Sequence, residues 1–536
     1  MTALLLAVDV GTAAARAGLF DPAGRVLGTA SQELSLLRPH EDHAVYRMDS
    51  VWNAVCAAIH ACLESVPGAG QQVVGLAFDA TASLVLGHDG AAPLEGGADV
   101  FCWMDHRAEA EAHEITRTGD GWLAHMGGVL SPENHLPKLL WLKRRAPAAW
   151  ARVTGVRDLC DELARRATGV DAHSLCPRAA KWPYLPKDET NGGWRYRLLE
   201  RLGLEAVWTM GAMSDPPVPV GQAHGTLSPD VAAFLGLTAG IPVAAGLIDA
   251  EAGMLGVLGR GIAGRADSTL ALIGGTSTCF MAVTAQRRMI PGIWGPFYGA
   301  VLPDMWLHEG GQSCTGAALD ALLAHHPGGP RLATPETHED TAAEILDLLD
   351  RVGPGFAARR HIVPDWLGNR SPLGDGSLRA LVTGQGEDIG YGAFLETYYA
   401  TARALVLQAR QIIAHMNGHG YAINRVALSG GHARNRLLVR LYRDALGCDL
   451  TLSRTAEPVL LGTAMVAAVA AGVQPDLFVA LDRMAPSQMR SQADPRWKAA
   501  HGVAYGIYLK LFEARNEAAA AALALEGLAG ASKGAA

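Results

Sequence analysis

The chain has 536 residues, of which 49% are hydrophobic and 18% charged, so it can form two or more domains with large cores and is too apolar to be disordered. Its formal net charge of −8 has the wrong sign for a general nucleic-acid binder or for a protein that binds anionic membranes. The longest apolar stretch, 459–473, is interrupted by glycines and is shorter than the roughly 20 residues that span a bilayer, so we expect no transmembrane helix.

The amino-terminal residues and the cysteines both favour a cytoplasmic protein. No basic residue precedes the first apolar run, and Asp9 ends that run after a few residues, unlike a secretory signal. The 8 cysteines form no CxxC pair, which argues against a zinc site or a disulfide framework. We therefore expect core thiols in a reducing compartment.

The first segment predicts a β-hairpin with a glycine-containing turn. An apolar run over 4–8 ends in Asp9, Gly11 and Thr12, and a second apolar run follows over 17–20. Glycine permits close approach of a phosphate to the backbone, the hydroxyl can donate a hydrogen bond, and the carboxylate can hold magnesium through water. The same tripeptide also occurs in ordinary hairpin turns, so this alternative stays open.

The following segments alternate between helix and strand patterns. Apolar spacing predicts a helix over 50–63 and a strand over 72–78, which together favour an α/β fold. A polar turn cluster over 185–196 is expected on the surface. Helices are also predicted within 328–360 and over 514–528.

Residues 268–283 repeat the pattern of the first hairpin. An apolar strand leads into Gly274, Gly275 and Thr276, and a second apolar segment follows. The repeat suggests two related halves that face each other. The second turn offers backbone N–H groups and hydroxyls to the β- and γ-phosphates of a nucleotide, although a plain glycine-rich β-turn is the alternative.

Asp249 stands at the end of an apolar strand and at the start of a helical pattern. Its carboxylate can act as a general base if it lies within hydrogen-bond reach of a hydroxyl group. A carboxylate at this place also caps helices, and the residues alone favour the cap.

Further polar positions follow apolar segments. Glu309 opens a Glu-Gly-Gly-Gln sequence that suits polyol recognition, with a glycine turn and a helix-capping Ser313 as the alternative. Lys181 either meets a substrate oxygen or extends its ammonium group to solvent. Asp105 is a candidate cap for the helix over 103–115, whose charges are expected on a solvated face.

Residues 429–435 join a strand to a helix, which is a position where open α/β sheets often bind nucleotides. The segment lacks the spacing of a GxGxxG fingerprint. His432 is expected to be a packed or solvated loop residue, because no second His or Cys occurs at metal-ligand spacing.

Taken in order, these segments resemble the FGGY carbohydrate kinases of the sugar kinase, Hsp70 and actin superfamily. The matching segments run through nearly the whole chain: VDVGT (8–12), FDAT (78–81), WMDHRA (103–108), DELARRATG (161–169), GLIDA (246–250), GGTST (274–278), EGGQS (309–313), GNRSP (368–372), SGG (429–431) and VLLGTA (459–464). Within the family, WMDHRA, SLCPRAAKW (174–182), GTSTC (275–279), IWGPF (293–297) and GNRSP resemble pentulose kinases of the ribulokinase type.

The resemblance implies an α/β fold with two RNase H-like domains and a central interdomain cleft that binds ATP and sugar and closes on a hinge. The expected N-terminal domain, 1–262, binds the sugar and carries the first phosphate turn. The expected C-terminal domain, 263–536, carries the second phosphate turn and the loop for the adenosine part of ATP.

The resemblance also implies roles for individual residues. Asp249 matches the base that takes a proton from the sugar hydroxyl, and Asp9 matches the residue that positions Mg²⁺ and phosphate. The other matches are phosphate contacts at Gly11, Thr12, Gly275 and Thr276, adenosine contacts at Gly430, Gly431 and Asn435, and pentulose contacts at Ala82, Lys181, Asp249 and Glu309.

The chain departs from the family pattern near the first turn and near two substrate motifs. Ala13 and Ala14 stand where relatives carry small polar residues or glycine, so a hydroxyl is lost from the phosphate loop. Glu251 replaces a histidine common in pentulose kinases, and Trp366 with Leu367 replaces an aromatic-histidine pair. The changes at Glu251 and at Trp366 with Leu367 bear on the choice of sugar.

The resemblance implies an ATP- and Mg²⁺-dependent ketopentose kinase whose first-choice reaction converts D-ribulose to D-ribulose 5-phosphate. L-ribulose, xylulose and ribitol are alternative acceptors. An actin- or Hsp70-like ATPase without a sugar, or a sugar sensor without catalysis, would be a different class of protein. The expected partners are a small-molecule sugar and ATP, without nucleic acid or membrane, and a homodimer is an option because dimers are common.

Overall fold

The computed structural model describes residues 3–186, 193–453 and 455–533, with side chains described as far as residue 522. The middle of the polar turn cluster predicted over 185–196 lies outside the described residues. Two compact units make up the chain. The first unit comprises Met1–Asp267, Met281–His308 and Ser453–Gln488, and the second comprises Ser268–Phe280, Glu309–Leu452 and Met489–Ala536.

The strands of the described residues, in chain order, are β1 (Leu4–Val10), β2 (Ala14–Phe20), β3 (Val26–Glu33), β4 (Val45–Tyr46), β5 (Val73–Ala80), β6 (Leu84–His88), β7 (Val100–Phe101), β8 (Val153–Asp158), β9 (Ala223–Thr226), β10 (Pro242–Ala244), β11 (Leu247–Ile248), β12 (Thr269–Gly274), β13 (Thr278–Thr284), β14 (Trp294–Tyr298), β15 (Trp306–Gln312), β16 (His361–Val363), β17 (Leu381–Thr383), β18 (Arg425–Gly430), β19 (Asp449–Ser453) and β20 (Gln488–Ser491).

The α-helices of the same residues are α1 (Met48–Glu64), α2 (Glu109–Arg117), α3 (His135–Arg145), α4 (Pro147–Trp150), α5 (Leu159–Thr168), α6 (Leu175–Lys181), α7 (Tyr196–Leu202), α8 (Ala206–Met210), α9 (Pro229–Leu235), α10 (Asp249–Leu258), α11 (Gly316–His325), α12 (Pro335–Val352), α13 (Tyr391–Gly418), α14 (Arg436–Ala445), α15 (Pro458–Ala470), α16 (Leu477–Met484) and α17 (Pro495–Lys533).

The main sheet of the first unit has the strand order β3-β2-β1-β5-β10-β9, and β11 also pairs with β5. Strand β1 is antiparallel to β2 and parallel to β5. All seven residues of β1 are buried, as expected of a central strand that is covered on both faces. Helix α1 packs against β2 and β3, and α15 packs against β1 and β5. A smaller antiparallel sheet has the order β4-β7-β6-β8.

Helices α10 and α15 of the first unit approach each other through glycine. A Cβ atom on Gly256 of α10 would lie 1.8 Å from the carbonyl oxygen of Pro458, and one on Gly462 of α15 would lie 1.9 Å from that of Ala252. Any side chain at either position would therefore push the two backbones apart. The close contact fixes the start of α10, where Asp249 stands, relative to α15.

The second unit repeats the plan of a hairpin followed by a parallel strand. Its sheet contains the order β15-β13-β12-β18-β19, in which β12, β18 and β19 run parallel. Gly274 and Gly430 are partners at the ends of β12 and β18. The long helix α13 packs against α14 and α11.

The local predictions agree with this architecture. The hairpin predicted from residues 4–20 is formed by β1 and β2, and the repeat over 268–283 gives β12 and β13. The helix predicted over 50–63 is α1, and the strand predicted over 72–78 is β5. No helix in the described part of the chain is both long enough and apolar enough to cross a membrane.

Candidate active site

Two aspartates meet where β1 and β5 end. Asp9 and Asp79 are partners in the parallel register, so their backbones lie side by side at the carboxyl edge of the sheet. Asp9 is 1% exposed and Asp79 is 0% exposed. Buried carboxylates need hydrogen bonds or cations, and the surroundings of the pair determine what it can do.

Asp9 is paired with Arg16, which stands opposite it in the β1–β2 hairpin. Arg16 Nε donates to Asp9 Oδ2 at 2.6 Å, and Arg16 Nη1 donates to Glu457 at 2.9 Å. Although burial alone lowers the pKa of Arg16, the neighbouring carboxylates raise it overall. Residue spacing alone gives no sign of this ion pair, because only the hairpin register brings Arg16 to Asp9.

Asp79 is held from the opposite side by α15. Its Oδ2 atom accepts a hydrogen bond from the hydroxyl of Thr463. Burial raises the pKa of Asp79 well above its usual range, and the charges of Asp9 and Asp249 raise it further. The sequence analysis found this residue in the FDAT motif but gave it no role.

Asp249 begins α10 directly after β11. That strand pairs in parallel with β5, so that Leu247 and Ile248 stand opposite Asp79 and Ala80. Asp249 Oδ1 accepts a hydrogen bond from the amide of Ala250 at 2.8 Å. Asp249 is the first residue of α10, and Ile248 precedes the helix without a side-chain cap, so the capping alternative is wrong. The residue lies half-buried at the edge that carries the two aspartates.

The first Gly-Thr turn is held by two aromatic residues. Gly11 N donates to the carbonyl of Ala14 at 3.0 Å, and the Tyr46 hydroxyl donates to the carbonyl of Thr12 at 2.7 Å. Trp103 Nε1 donates to the Thr12 hydroxyl at 2.9 Å. Because indole N–H can only donate, the Thr12 hydroxyl keeps its own proton for another acceptor. Trp103 belongs to the WMDHRA motif, for which the family resemblance implied no role at this residue.

A buried lysine holds the loop that carries Trp103. Lys138 Nζ donates to the carbonyls of Cys102 at 2.8 Å and Trp103 at 3.1 Å. Burial lowers the pKa of Lys138 to about 8. The amide of Trp103 also donates to the hydroxyl of Ser83 at 3.1 Å, which places Ala82 beside this loop.

Lys181 ends α6 and is buried rather than extended into solvent, so the alternative of a solvated ammonium group is wrong. Its Nζ atom lies 5.0 Å from the centre of the Trp294 ring. An ammonium group over an indole face gains cation–π attraction and keeps N–H donors for other acceptors.

The prediction that Asp105 caps the helix of the WMDHRA segment is wrong. Helix α2 begins at Glu109, after Ala108. Asp105 is fully buried, where it accepts from the amide of Ala44 and from the guanidinium of Arg107. The charges of this motif therefore include a buried ion pair and do not form only a solvated face.

The second unit contains a cavity of about 540 Å³ at the corresponding edge of its sheet. Of the predicted nucleotide contacts, Gly275, Thr276, Gly431 and Asn435 line it. Gly430 stands beside them, next to Gly274 in the sheet. A cavity of this size is within the range of small-molecule sites.

Glycine is required at this edge. A Cβ atom on Gly274 would lie 2.3 Å from Cγ of His432, and one on Gly430 would lie 2.3 Å from the carbonyl oxygen of Gly274. Gly430 also has φ of 78° and ψ of −160°, a conformation that is nearly restricted to glycine.

His432 is packed, as predicted. Its Nδ1 atom lies 3.1 Å from the hydroxyl oxygen of Tyr442, and the two rings stack with centroids 6.0 Å apart. Burial lowers the pKa of His432 to about 4, so the ring is neutral at pH 7. Asn435 precedes α14 and accepts from the amide of Leu438 at 3.1 Å.

A hydrogen-bonded chain that the sequence analysis did not identify lies in the cavity wall. His338 Nε2 lies 2.7 Å from a carboxylate oxygen of Asp320, and His338 Nδ1 lies 2.7 Å from the hydroxyl oxygen of Tyr398. The hydrogen bonds hold the acidic side chain of Asp320 at the wall. These residues stand on three helices, so chain spacing gives no indication of their contact.

Glu309 lies in β15 and is 8% exposed, so the alternative of a glycine turn is wrong. Gly311 allows the close approach of Arg370, because a Cβ atom on Gly311 would lie 2.4 Å from Cδ of Arg370. Ser313 does not cap the next helix, since Thr315 precedes α11. Near the GNRSP motif, Trp366 and Leu367 are exposed.

Asp9 is the one residue predicted to bind Mg²⁺, so the predicted site offers few protein ligands. Among the described residues, no three or more His, Cys, Asp or Glu side chains are grouped so that they could hold a metal ion. Magnesium commonly uses one or two carboxylates together with waters and substrate phosphates. The buried carboxylates of Asp9 and Asp79 therefore fit this ion in chemical type.

Two family models match most of the chain. The N-terminal domain of the FGGY family of carbohydrate kinases matches residues 4–256, and the C-terminal domain of the same family matches residues 270–471. A human FGGY carbohydrate kinase domain-containing protein is 36% identical over 539 residues, which cover 95% of this chain and 96% of the relative. A D-ribulokinase of Saccharomyces cerevisiae is 31% identical over 508 residues, which cover 86% of this chain and 71% of the relative.

Solved structures show the same fold. A xylulose kinase from Rhodospirillum rubrum matches with a TM-score of 0.78 at 20% identity, over 96% of this chain and 99% of the other. A gluconate kinase from Lactobacillus acidophilus matches with a TM-score of 0.79 at 16% identity, over 97% and 99%. The predicted α/β fold, which these sugar kinases share, is thus confirmed. The chain belongs to the FGGY family of carbohydrate kinases and is, as its motifs predicted, an ATP-dependent sugar kinase.

Proposed function

We propose that the protein is a pentulose kinase that transfers the γ-phosphoryl group of ATP to the terminal hydroxyl of D-ribulose and forms D-ribulose 5-phosphate. The observation that carries the proposal is the position of Asp249. Its carboxylate lies at the strand edge that also holds Asp9, and β5 lies between β11 and the strand that leads into the first Gly-Thr turn. A base at this edge is suited to activating a hydroxyl group.

Similarity to a D-ribulokinase supports the choice of sugar. The yeast relative of that name shares 31% identity over most of this chain. A Ribulokinase 2 of Staphylococcus saprophyticus is 26% identical over 517 residues. The ribulokinase-like segments WMDHRA and GNRSP agree with these names.

In the proposed reaction, Asp249 accepts the proton of the terminal sugar hydroxyl. The hydroxyl oxygen forms a bond to the γ-phosphorus as the bond between that phosphorus and the bridging oxygen breaks, and ADP leaves. Phosphoryl transfer depends mainly on positioning and on neutralisation of charge. Thr12, whose hydroxyl accepts from Trp103, has its proton available for a phosphate oxygen.

Mg²⁺ bound with ATP would neutralise phosphate charge, and Asp9 is the residue we assign to hold it. Arg16 fixes the orientation of Asp9 by a hydrogen bond to one carboxylate oxygen. We propose that the backbone of Gly11 contributes to the same phosphate site.

We propose that the cavity of the second unit binds the nucleotide. Gly275 and Thr276 would contact phosphate oxygens, and Gly430, Gly431 and Asn435 would contact the adenosine part. Glycine leaves the backbone N–H groups unobstructed for close approach to a phosphate. The neutral ring of His432 adds no charge at this wall.

For the sugar, we propose contacts from Ala82, Lys181, Asp249 and Glu309. The Lys181 ammonium group, which is buried against Trp294, has N–H donors for a sugar oxygen. Glu309 would accept from a sugar hydroxyl. We further propose a cytoplasmic location and a homodimer; no interface is assigned.

The proposal is tested by measuring ADP release with MgATP and a panel of D- and L-ribulose, D- and L-xylulose, ribitol, L-arabitol and glycerol. We expect D-ribulose to give the highest kcat/KM and Asp249→Ala to abolish the sugar-dependent rate. A preference for another pentulose or pentitol would correct the substrate. ADP release that no sugar changes would contradict the proposed kinase activity and favour an ATPase.

A further inference from the structure

Asp79 has a carboxylate oxygen that the proposed mechanism does not use. The residue is fully buried, and its Oδ2 atom accepts from the Thr463 hydroxyl. Among the residues that the structure describes, no donor lies within hydrogen-bond distance of Oδ1. A buried carboxylate oxygen without a donor costs about 1–3 kcal/mol unless a proton shared with the neighbouring Asp9 carboxyl group or a cation satisfies it.

Asp9, which lies next to Asp79, adds a second negative charge that a cation would neutralise. Asp79 and Asp9 are register partners, and their carboxyl groups are in contact. Arg16 is paired with Asp9 and Glu457, and the described residues place no basic nitrogen within ion-pair distance of Asp79. Two carboxyl groups in contact repel each other when both are ionised, and a divalent cation between them removes that repulsion.

We propose that Asp79 is a second carboxylate ligand, beside Asp9, of the divalent cation that accompanies ATP. The inference rests on the proposed function, because the cation is expected to arrive with the nucleotide. Mg²⁺ prefers oxygen ligands and is commonly held by one or two carboxylates together with phosphates and water. Thr463 occupies one oxygen of Asp79 and leaves the other for the cation.

Direct cation binding tests the inference without turnover. The dissociation constant of Mn²⁺ is measured by electron paramagnetic resonance, with and without ADP and with no sugar present. We expect Asp79→Asn and Asp9→Asn each to weaken Mn²⁺ binding by about tenfold or more, because each removes one carboxylate ligand. Binding by Asp79→Asn within about threefold of the wild type would overturn the inference.

Two control variants separate ligation from structural support. Asp21→Asn changes a buried aspartate just after β2 that accepts from the amides of Ala23 and Arg25, and it is expected to leave the Mn²⁺ affinity unchanged. Thr463→Ser keeps a hydroxyl that can donate to Asp79 as well as both carboxylates, and it is expected to retain Mn²⁺ binding within about threefold. A loss in Thr463→Ser as large as that in Asp79→Asn would overturn the inference, because the packing of α15 rather than the Asp79 carboxylate would then set the Mn²⁺ affinity.

A second measurement keeps the inference testable if Asp79→Asn does not fold. Protein with the Asp249→Asn substitution and ¹³C-carboxylate aspartate is loaded with Mn²⁺, and couplings to ¹³C are recorded by electron–nuclear double resonance. Couplings from two carboxylates support the inference, and a coupling from one carboxylate overturns it. If ADP release proves independent of sugar while these binding results hold, the proposed function fails and the cation site stands.

Discussion

The two sheets carry different residues at equivalent positions, which are the ends of two paired parallel strands. In the first sheet, the partners at the ends of β1 and β5 are Asp9 and Asp79, whereas in the second sheet the partners at the ends of β12 and β18 are Gly274 and Gly430. Each pair of parallel strands follows the same plan, in which a hairpin with a Gly-Thr turn precedes the second strand.

The difference gives each edge its chemistry. Carboxylates make the first edge acidic and suit it to proton transfer and cation binding. Glycines leave the second edge without side chains, so that a cavity forms and its backbone N–H groups can be reached. A shared backbone plan thus builds two similar edges, and the residues at the strand ends give each edge its chemical character.

The largest effect is expected from removing the base at the acidic edge. Asp249→Asn should lower kcat by about 10² to 10⁴, because a general base contributes a factor of this size. The melting temperature should change little, since an Asn side chain can still accept from the amide of Ala250. Steady-state kinetics and thermal unfolding measure both quantities.

Asp230→Asn is the matched control for this variant, because Asp230 is an exposed acid in the first turn of α9. It should keep wild-type turnover. Near wild-type kcat in Asp249→Asn would show that the acidic edge does not supply the base.

At the glycine edge, Gly430→Ala should destabilise the protein by about 3 kcal/mol or more, since backbone strain and overpacking each cost about 1–3 kcal/mol. The added Cβ atom would lie 2.3 Å from the Gly274 carbonyl oxygen. ADP binding should weaken as well, because the cavity wall would shift. Urea unfolding and calorimetric titration of ADP measure the two effects.

Gly472→Ala separates strain from crowding. Gly472 has a φ of 69°, yet a Cβ atom there would meet nothing within 4 Å. The cost should be about 1–2 kcal/mol, which is that of the left-handed conformation alone. Equal losses of stability in the two variants would contradict the close backbone approach at Gly430.

A smaller effect concerns the pH dependence of the glycine edge. The pKa of His432 is lowered to about 4 by burial, whereas an unfolded histidine titrates near its ordinary value of 6.5. Between these values the unfolded chain binds the proton and the folded chain does not, so stability falls as the pH is lowered. The loss attributable to His432 should be about 2 kcal/mol at pH 5 relative to pH 7.

Urea unfolding of wild type and His432→Gln at both pH values isolates this contribution. The variant should lose about 2 kcal/mol less on acidification than the wild type does. His419→Gln, a substitution of an exposed histidine, serves as the control. Equal losses in His432→Gln and the wild type would show that His432 is not held neutral by its surroundings.

The smallest effect is expected at the first phosphate turn. Trp103→Phe removes the hydrogen bond to the Thr12 hydroxyl and should lower kcat/KM for ATP by about fivefold, which corresponds to about 1 kcal/mol. Trp52→Phe alters another partly buried indole of the same hydrophobic core and should have no such effect. Equal kinetics of Trp103→Phe and wild type would remove Trp103 from the positioning of Thr12.

Local patterns predicted the elements that carry the site. The Gly-Thr turns follow from apolar strands that end in glycine, and Asp249 follows from a strand that ends at a helix start. These features depend on residues that are close together in the chain, so the order of residues predicts them directly. The family resemblance, rather than the spacing, supplied the roles proposed for Lys181 and Glu309.

Contacts between distant segments could not be predicted in this way. Arg16 lies 441 residues from Glu457, and Thr463 lies 384 residues from Asp79. Their contacts depend on the strand register and on the packing of α15. The glycine-turn alternative for the segment after Glu309 is wrong, and the approach of Arg370 to Gly311 is equally a tertiary feature.

The most direct test of the central claim is to identify the phosphorylated product. D-ribulose labelled with ¹³C at carbon 5 is incubated with the protein and MgATP, and the mixture is followed by ³¹P nuclear magnetic resonance. We expect a sugar phosphate signal that shows coupling to the labelled carbon and grows in step with ADP. Formation of ADP and inorganic phosphate without a sugar phosphate would contradict the proposed pentulose kinase activity.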